Sequence, residues 1–229
     1  MVPVVDLEQA WRELATRVGA TGDAALATGR GLLAAWSDPS RRYHSVAHLQ
    51  DVLEKVDELA ADAEDPDTVR LAAWYHDAVY NGSPDDEELS AVKAERELTE
   101  LGLPPALVSE VGRLIRMTVH HDPPPEDRNG AVLSDADLSA LAVDPDTYRA
   151  NSEAIRQEYL HIPERAFMAT RAVMVETMLA ARSLFYTVSG RRRWEERARQ
   201  NLAAELARLR TGEQPRRPRE EPEGPDAGA

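Results

Sequence analysis

With 229 residues the chain can bury a real core, and the absence of cysteine excludes disulfides, thiolate zinc sites and a cysteine nucleophile. The formal net charge is −14, and the stretch after Arg210 carries three arginines against five acidic residues, so the acidity belongs to the body of the protein. Such a surface argues against nucleic-acid binding, which needs a basic stripe, and would repel an anionic substrate unless a metal or placed arginines help locally.

No basic-then-apolar leader is visible at the start, and no apolar run approaches the roughly 20 residues that cross a bilayer. The expectation is a soluble, cytoplasmic protein with no membrane partner. Abundant Ala, Leu, Glu and Arg, with only 5% aromatic residues, favour helix.

In chain order the pattern gives about ten helical segments and no strand. Leu7, Trp11, Leu14 and Val18 share one face, with Asp6 as cap. A second helix runs to Trp36 and stops at Ser37-Asp38-Pro39-Ser40. The third begins near His44 and buries Val46, Leu49, Val52, Leu53, Val56 and Leu59. After Pro66 a fourth carries Val69, Leu71, Ala72 and Trp74 into His76-Asp77 and ends at the turn Asn81-Gly82-Ser83-Pro84. A charged fifth helix spans Asp86 to Leu101, with Gly102 closing it. Pro104-Pro105 opens the sixth, which reaches His120-His121. The loop from Asp122 to Gly130 precedes a helix over Ala131–Val143, and two or three longer helices run to Arg210, with a break at Gly190. Residues 211–229, rich in Pro and Gly, read as a disordered tail to one all-α domain over 1–210.

Chemistry gathers at four places: His44 and His48, the doublet His76-Asp77, the pair His120-His121, and Asp135 with Asp137. On a helix, residues four apart share a face. Imidazole nitrogens with carboxylate oxygens suit a divalent cation such as Mn, Fe, Co, Ni or Zn. His161, before Pro163, reads as an ordinary turn residue.

The ordered series RRYH, LAAWYHDAVY, EELSA, TVHH, DADL and IRQEY, from Arg41 to about Asn201, resembles the HD-domain metal-dependent phosphohydrolases. The segment from Tyr43 to His48 is also similar to the opening Tyr-His motif of cyclic-nucleotide phosphodiesterases. The resemblance implies a single HD-domain-like helical bundle and a divalent metal (Mn, Co, Ni, Fe, Zn or Mg) held by His48, His76, Asp77 and Asp137, with Asp135 as the alternative to Asp137. It implies that the metal activates a water oriented by Asp77, and that His44 protonates the leaving group; His44 is otherwise a further ligand. The substrate implied is a small phosphorylated molecule, by analogy a nucleotide. Candidates to bind its phosphate are His121, Arg42, Arg156 and Arg182, because guanidinium pairs bidentately with phosphate. Glu88 is a candidate partner for a ligand histidine. Two other readings fit the same residues: an HD-type di-iron oxygenase, and a non-catalytic helical regulatory module with a structural metal.

Overall fold

The structure, a computed structural model, describes residues 6–211; the expected tail falls outside the described residues except for Thr211, which ends the last helix. Ten α-helices and two short 3₁₀ turns account for the secondary structure among the described residues. In order these are α1 (Leu7–Arg17), α2 (Gly22–Trp36), α3 (Val46–Glu58), α4 (Pro66–Tyr75), α5 (Asp86–Glu100), α6 (Pro105–Met117), α7 (Arg128–Leu138), α8 (Pro145–Glu158), α9 (Glu164–Ala180) and α10 (Val188–Thr211). None is long and apolar enough to cross a membrane.

Local chemistry sets most of the ends. The Asp6 carboxylate accepts from the Glu8 and Gln9 amides at 3.1 and 3.2 Å, so α1 starts where the sequence places its cap. Asp65 and Asp144 do the same for α4 and α8, each followed by a proline in the first turn. Gly102, with φ +77°, takes the left-handed conformation that closes α5.

Several boundaries differ from the sequence reading. α4 stops at Tyr75, before His76-Asp77 and short of the Asn81 turn. α6 stops at Met117, short of His120-His121, and α7 stops at Leu138, short of Val143. α3 begins at Val46, so His44 lies in the turn before it and not on the helix with His48. Asp127 caps α7 through the Gly130 amide at 2.8 Å and draws Arg128, Asn129 and Gly130 into the first turn, three residues earlier than expected. Gly190 does not break the chain; it sits inside the first turn of α10, and the break is the segment 181–187. A Cβ at Gly190 would stand 2.3 Å from Asp135 Oδ2, so glycine is there for close packing of α10 on α7.

Two clusters of buried apolar residues fill the interior. The first draws on α1 to α7 and includes Trp11, Trp36, Leu49, Val56, Trp74, Tyr75, Leu114 and Leu133. The second joins Tyr148, Val175, Leu184, Phe185, Ala198 and Leu202 from α8 to α10, and Trp194 packs against both. Each fully buried leucine or valine contributes about 1.5–3 kcal/mol. Within the first cluster α3, α4 and α7 pack on one another, and their side chains build the site.

Candidate metal centre

α3 presents His48 in its first turn, α4 hands over to His76 at its C-terminal end, and α7 presents Asp137 in its last turn. His48 Nε2 lies 3.0 Å from Asp137 Oδ1, and His76 Nε2 lies 3.8 Å from the same oxygen. These three residues each offer a donor atom within 4.8 Å of the other two, so the group could hold a metal ion. His48 and His76 are buried, and the Trp36 ring packs on both at centroid distances of 6.2 and 5.4 Å.

One atom tests the fit. His76 Nδ1 lies 2.8 Å from the Ala73 carbonyl oxygen, which only accepts, so the ring proton sits on Nδ1. That leaves Nε2 with a lone pair, and Nε2 is buried without a hydrogen-bond partner. It faces carboxylate oxygens of Asp77 at 3.4 Å and of Asp137 at 3.8 Å. Lone pairs converging in a buried space repel, and a cation among them reverses the sign. The Ala73 hydrogen bond is also the kind of outer support that orients a ligand imidazole.

Asp137 and Asp135 separate cleanly. Asp135 is fully buried and accepts from the Tyr186 amide at 2.6 Å, the Thr187 amide at 2.8 Å and the Thr187 hydroxyl at 2.7 Å. It fastens the start of α10. Burial pushes its pKa up to about 6, against those hydrogen bonds. Burial also pushes Asp137 upward, but the hydrogen bond from His48, with the other imidazoles set around the carboxylate, outweighs it and holds Asp137 well below the usual carboxylate range.

His121 belongs to the same centre. Its Nε2 lies 3.3 Å from Asp137 Oδ2, so His48 and His121 take separate oxygens of one carboxylate. Burial lowers its pKa, with Asp137 opposing. The residue is the one non-glycine with positive φ (49°) among the described residues, and its amide closes α6 on the Met117 carbonyl at 3.0 Å.

Beside the centre, His44 Nδ1 lies 2.7 Å from Glu158 Oε2. Glu158 Oε1 accepts from the amides of Arg42, Tyr43 and His44 at 2.7, 2.8 and 3.0 Å, and the Tyr80 hydroxyl donates to Oε2 at 3.1 Å. Burial alone would raise the Glu158 pKa, but the His44 contact and the amides bring it down to about 2. The His44 ring stacks on Tyr80 at 4.2 Å and stands 5.7 Å from the His48 ring.

Several expected roles go elsewhere. Arg156 spends its guanidinium on the Tyr159 and Ile162 carbonyls at 2.6 and 3.1 Å and lies over the Phe167 ring, so it caps α8. Arg42 is exposed, and its main chain is what Glu158 engages; Arg182 is exposed beyond the end of α9. Glu88 pairs on the surface with Arg116 at 2.7 Å and supports no histidine. Just before that EELSA stretch Asp86 accepts from the Asn81 and Ser83 amides, and within it the Ser90 hydroxyl bonds the main chain of Val79. Glu158 and Arg41 are the residues that sequence reasoning passed over. Both stand inside quoted motifs, IRQEY and RRYH, which was the available signal.

The chain matches no family model, no curated protein and no solved structure. What fold and site define is an all-helical protein with a buried His/Asp group able to hold a metal ion.

Proposed function

We propose that the chain is a metal-dependent phosphohydrolase that cleaves a small phosphate ester, by analogy of a nucleotide. The observation that carries this reading is the unpartnered His76 Nε2, aimed at the Asp77 and Asp137 carboxylates beside a histidine that has its own carboxylate partner. The resemblance of the motif series to HD-domain phosphohydrolases points the same way.

His48, His76 and Asp137 would hold a divalent ion, with Asp77 beside His76 and His121 beside Asp137 as additional donors. Such an ion supplies Lewis acidity and lowers the pKa of a water toward about 7. The remaining steps belong to the chain. Asp77, beside the centre, accepts a hydrogen bond from the attacking water and orients it. Glu158 accepts the hydrogen bond from His44 Nδ1, so Nε2 is the nitrogen left to carry the proton given to the departing alkoxide. The Tyr80 face fixes the plane of that ring. Because Arg156 is tied to carbonyls and the protein is acidic, phosphate charge is met chiefly at the metal centre.

The test is a hydrolysis screen over nucleotides, cyclic nucleotides and sugar phosphates with Mn, Co, Ni, Zn, Fe and Mg, run with and without air. Phosphate release under anaerobic conditions supports the proposal. Turnover that requires iron and oxygen would assign an oxygenase instead, and tight metal with no turnover on any ester would assign a structural ion.

A further inference from the structure

The turn that carries His44 is held from two directions, and Glu158 accounts for one of them. From the other, Arg41 lies buried at 9% exposure, its guanidinium 5.3 Å from the Trp36 ring and 5.6 Å from the Tyr80 ring. Its Nη1 donates to the Asp77 carbonyl at 2.7 Å and the His44 carbonyl at 3.2 Å, and Nη2 reaches the Ala78 carbonyl at 3.4 Å. One rigid planar group thus joins the main chain of the proposed acid to the main chain of the His76-Asp77 doublet. The rings on either side repeat the pattern. Trp36 packs on His76 at 5.4 Å, and Tyr80 stacks on His44 at 4.2 Å.

Among the hydrogen bonds of the described residues, those of Glu158 hold the turn from a different side. The Glu158 hydrogen bonds orient the His44 ring and amides relative to α8, which carries no donor of the centre. Arg41 supplies the hydrogen bonds from the turn to the main chain at Asp77 and Ala78, beside the Tyr80 ring stacked on His44. A lysine could not replace it, because an ammonium on a flexible stem lacks the fixed fork that serves several carbonyls at once.

We infer that Arg41 is a positioning residue: it sets the separation of His44 from the metal centre and thereby governs proton delivery to the leaving group, without touching substrate. The inference rests on the phosphohydrolase reading above for its kinetic consequence, but the positioning itself has a separate readout.

The experiment compares Arg41→Lys with wild type on an alkyl phosphate ester and on p-nitrophenyl phosphate, in the wild-type and His44→Ala backgrounds. Metal content by elemental analysis should stay at the wild-type level. On the alkyl ester kcat should fall roughly 10–10²-fold, the scale of a sub-ångström to 1 Å misplacement, with KM unchanged. On p-nitrophenyl phosphate, whose leaving group needs no proton, the rate should be nearly kept. In the His44→Ala background the substitution should cost nothing further, because the two residues act as one unit. Independently of turnover, the ring N–H proton resonance of His44, assigned by its absence in His44→Ala, should shift in Arg41→Lys. Equal losses on both esters, a full additional loss without His44, or an unmoved rate and resonance would each overturn the inference. Should Arg41→Lys fail to fold, Arg41→Gln takes its place; if both fail, Arg41 is a residue of the core alone and the inference falls. A wild-type protein that binds metal and hydrolyses no ester would refute the phosphohydrolase reading, while the resonance would still decide whether Arg41 holds His44.

Discussion

Asp135 and Asp137, two positions apart on α7, serve opposite neighbours: Asp135 takes the Tyr186 and Thr187 amides at the start of α10, and Asp137 takes His48 and His121. One is bound to fold and the other to the centre, so substitution separates them. Asp135→Asn turns an acceptor oxygen into an NH₂ that meets N–H donors, and it should cost about 1–3 kcal/mol in denaturant unfolding at neutral pH with metal content unchanged. Asp137→Asn should lose the metal by elemental analysis and remain folded. A metal-free Asp135→Asn protein would reverse the assignment.

Removing the lone pair of His76 is the direct check on the centre. His76→Ala should abolish metal uptake, and a chelator should lower the melting temperature of wild type while leaving that of the variant unchanged. A ligand present at 100 times its Kd stabilises the folded state by about 2.7 kcal/mol, enough to see in a thermal scan. An identical melting temperature with and without chelator, in a wild type shown to be metal-loaded, would remove the centre from the account.

His44 and Glu158 should fail together and differently from His48. His44→Ala should keep the metal and lower turnover on an alkyl ester by roughly 10²–10⁴-fold, while His48→Ala loses metal and activity at once. Metal loss in His44→Ala would make that residue a ligand.

Acid should find Glu158. Its folded pKa of about 2 lies below the ordinary glutamate value, so its contribution to stability is present above about pH 4.5 and is lost as pH falls toward 2. The contribution is on the order of 2–3 kcal/mol. Glu158→Gln should flatten that part of the stability curve, read from urea midpoints at a series of pH values; an unchanged slope would mean that His44 and the three amides do not hold the carboxylate.

Gly190→Ala sets two rules against each other. Helix propensity favours alanine by about 1 kcal/mol. The added Cβ would meet Asp135 Oδ2 at 2.3 Å and Thr187 Oγ1 at 3.0 Å. Overpacking of this kind costs about 1–3 kcal/mol, so the net effect should be destabilising in thermal unfolding. A stabilised variant would show that α10 can shift away from α7 at no cost.

The same position shows where reading the chain alone stops. A glycine followed by three arginines reads as a breaker because propensity is local, whereas the close approach of Asp135 depends on a residue 55 positions earlier (190 less 135). Helix cores and caps came through because they are local: Asp6 caps α1, Gly102 closes α5, and Leu49, Val52, Val56 and Leu59 are buried as their spacing requires. Arg41 and Arg42 are indistinguishable as neighbours of one type, and only the fold decides which enters the core. Glu88 and Glu158 posed the same problem. Each is a carboxylate near a motif, and the partner of His44 proved to lie 114 residues away.

That separation bears on how the protein assembles. The donors His48, His76 and Asp137 come from α3, α4 and α7, whereas Glu158 arrives with α8, after the chain has closed a loop of 114 residues back onto the His44 turn. The His48–Asp137 closure spans 89 residues (137 less 48). By chain entropy it differs from the 114-residue closure by well under about 1 kcal/mol, so the two should form together. Refolding followed by stopped-flow metal uptake and by regain of turnover should then give one shared rate, and two well-separated rates would show that the α8 end docks in a later step.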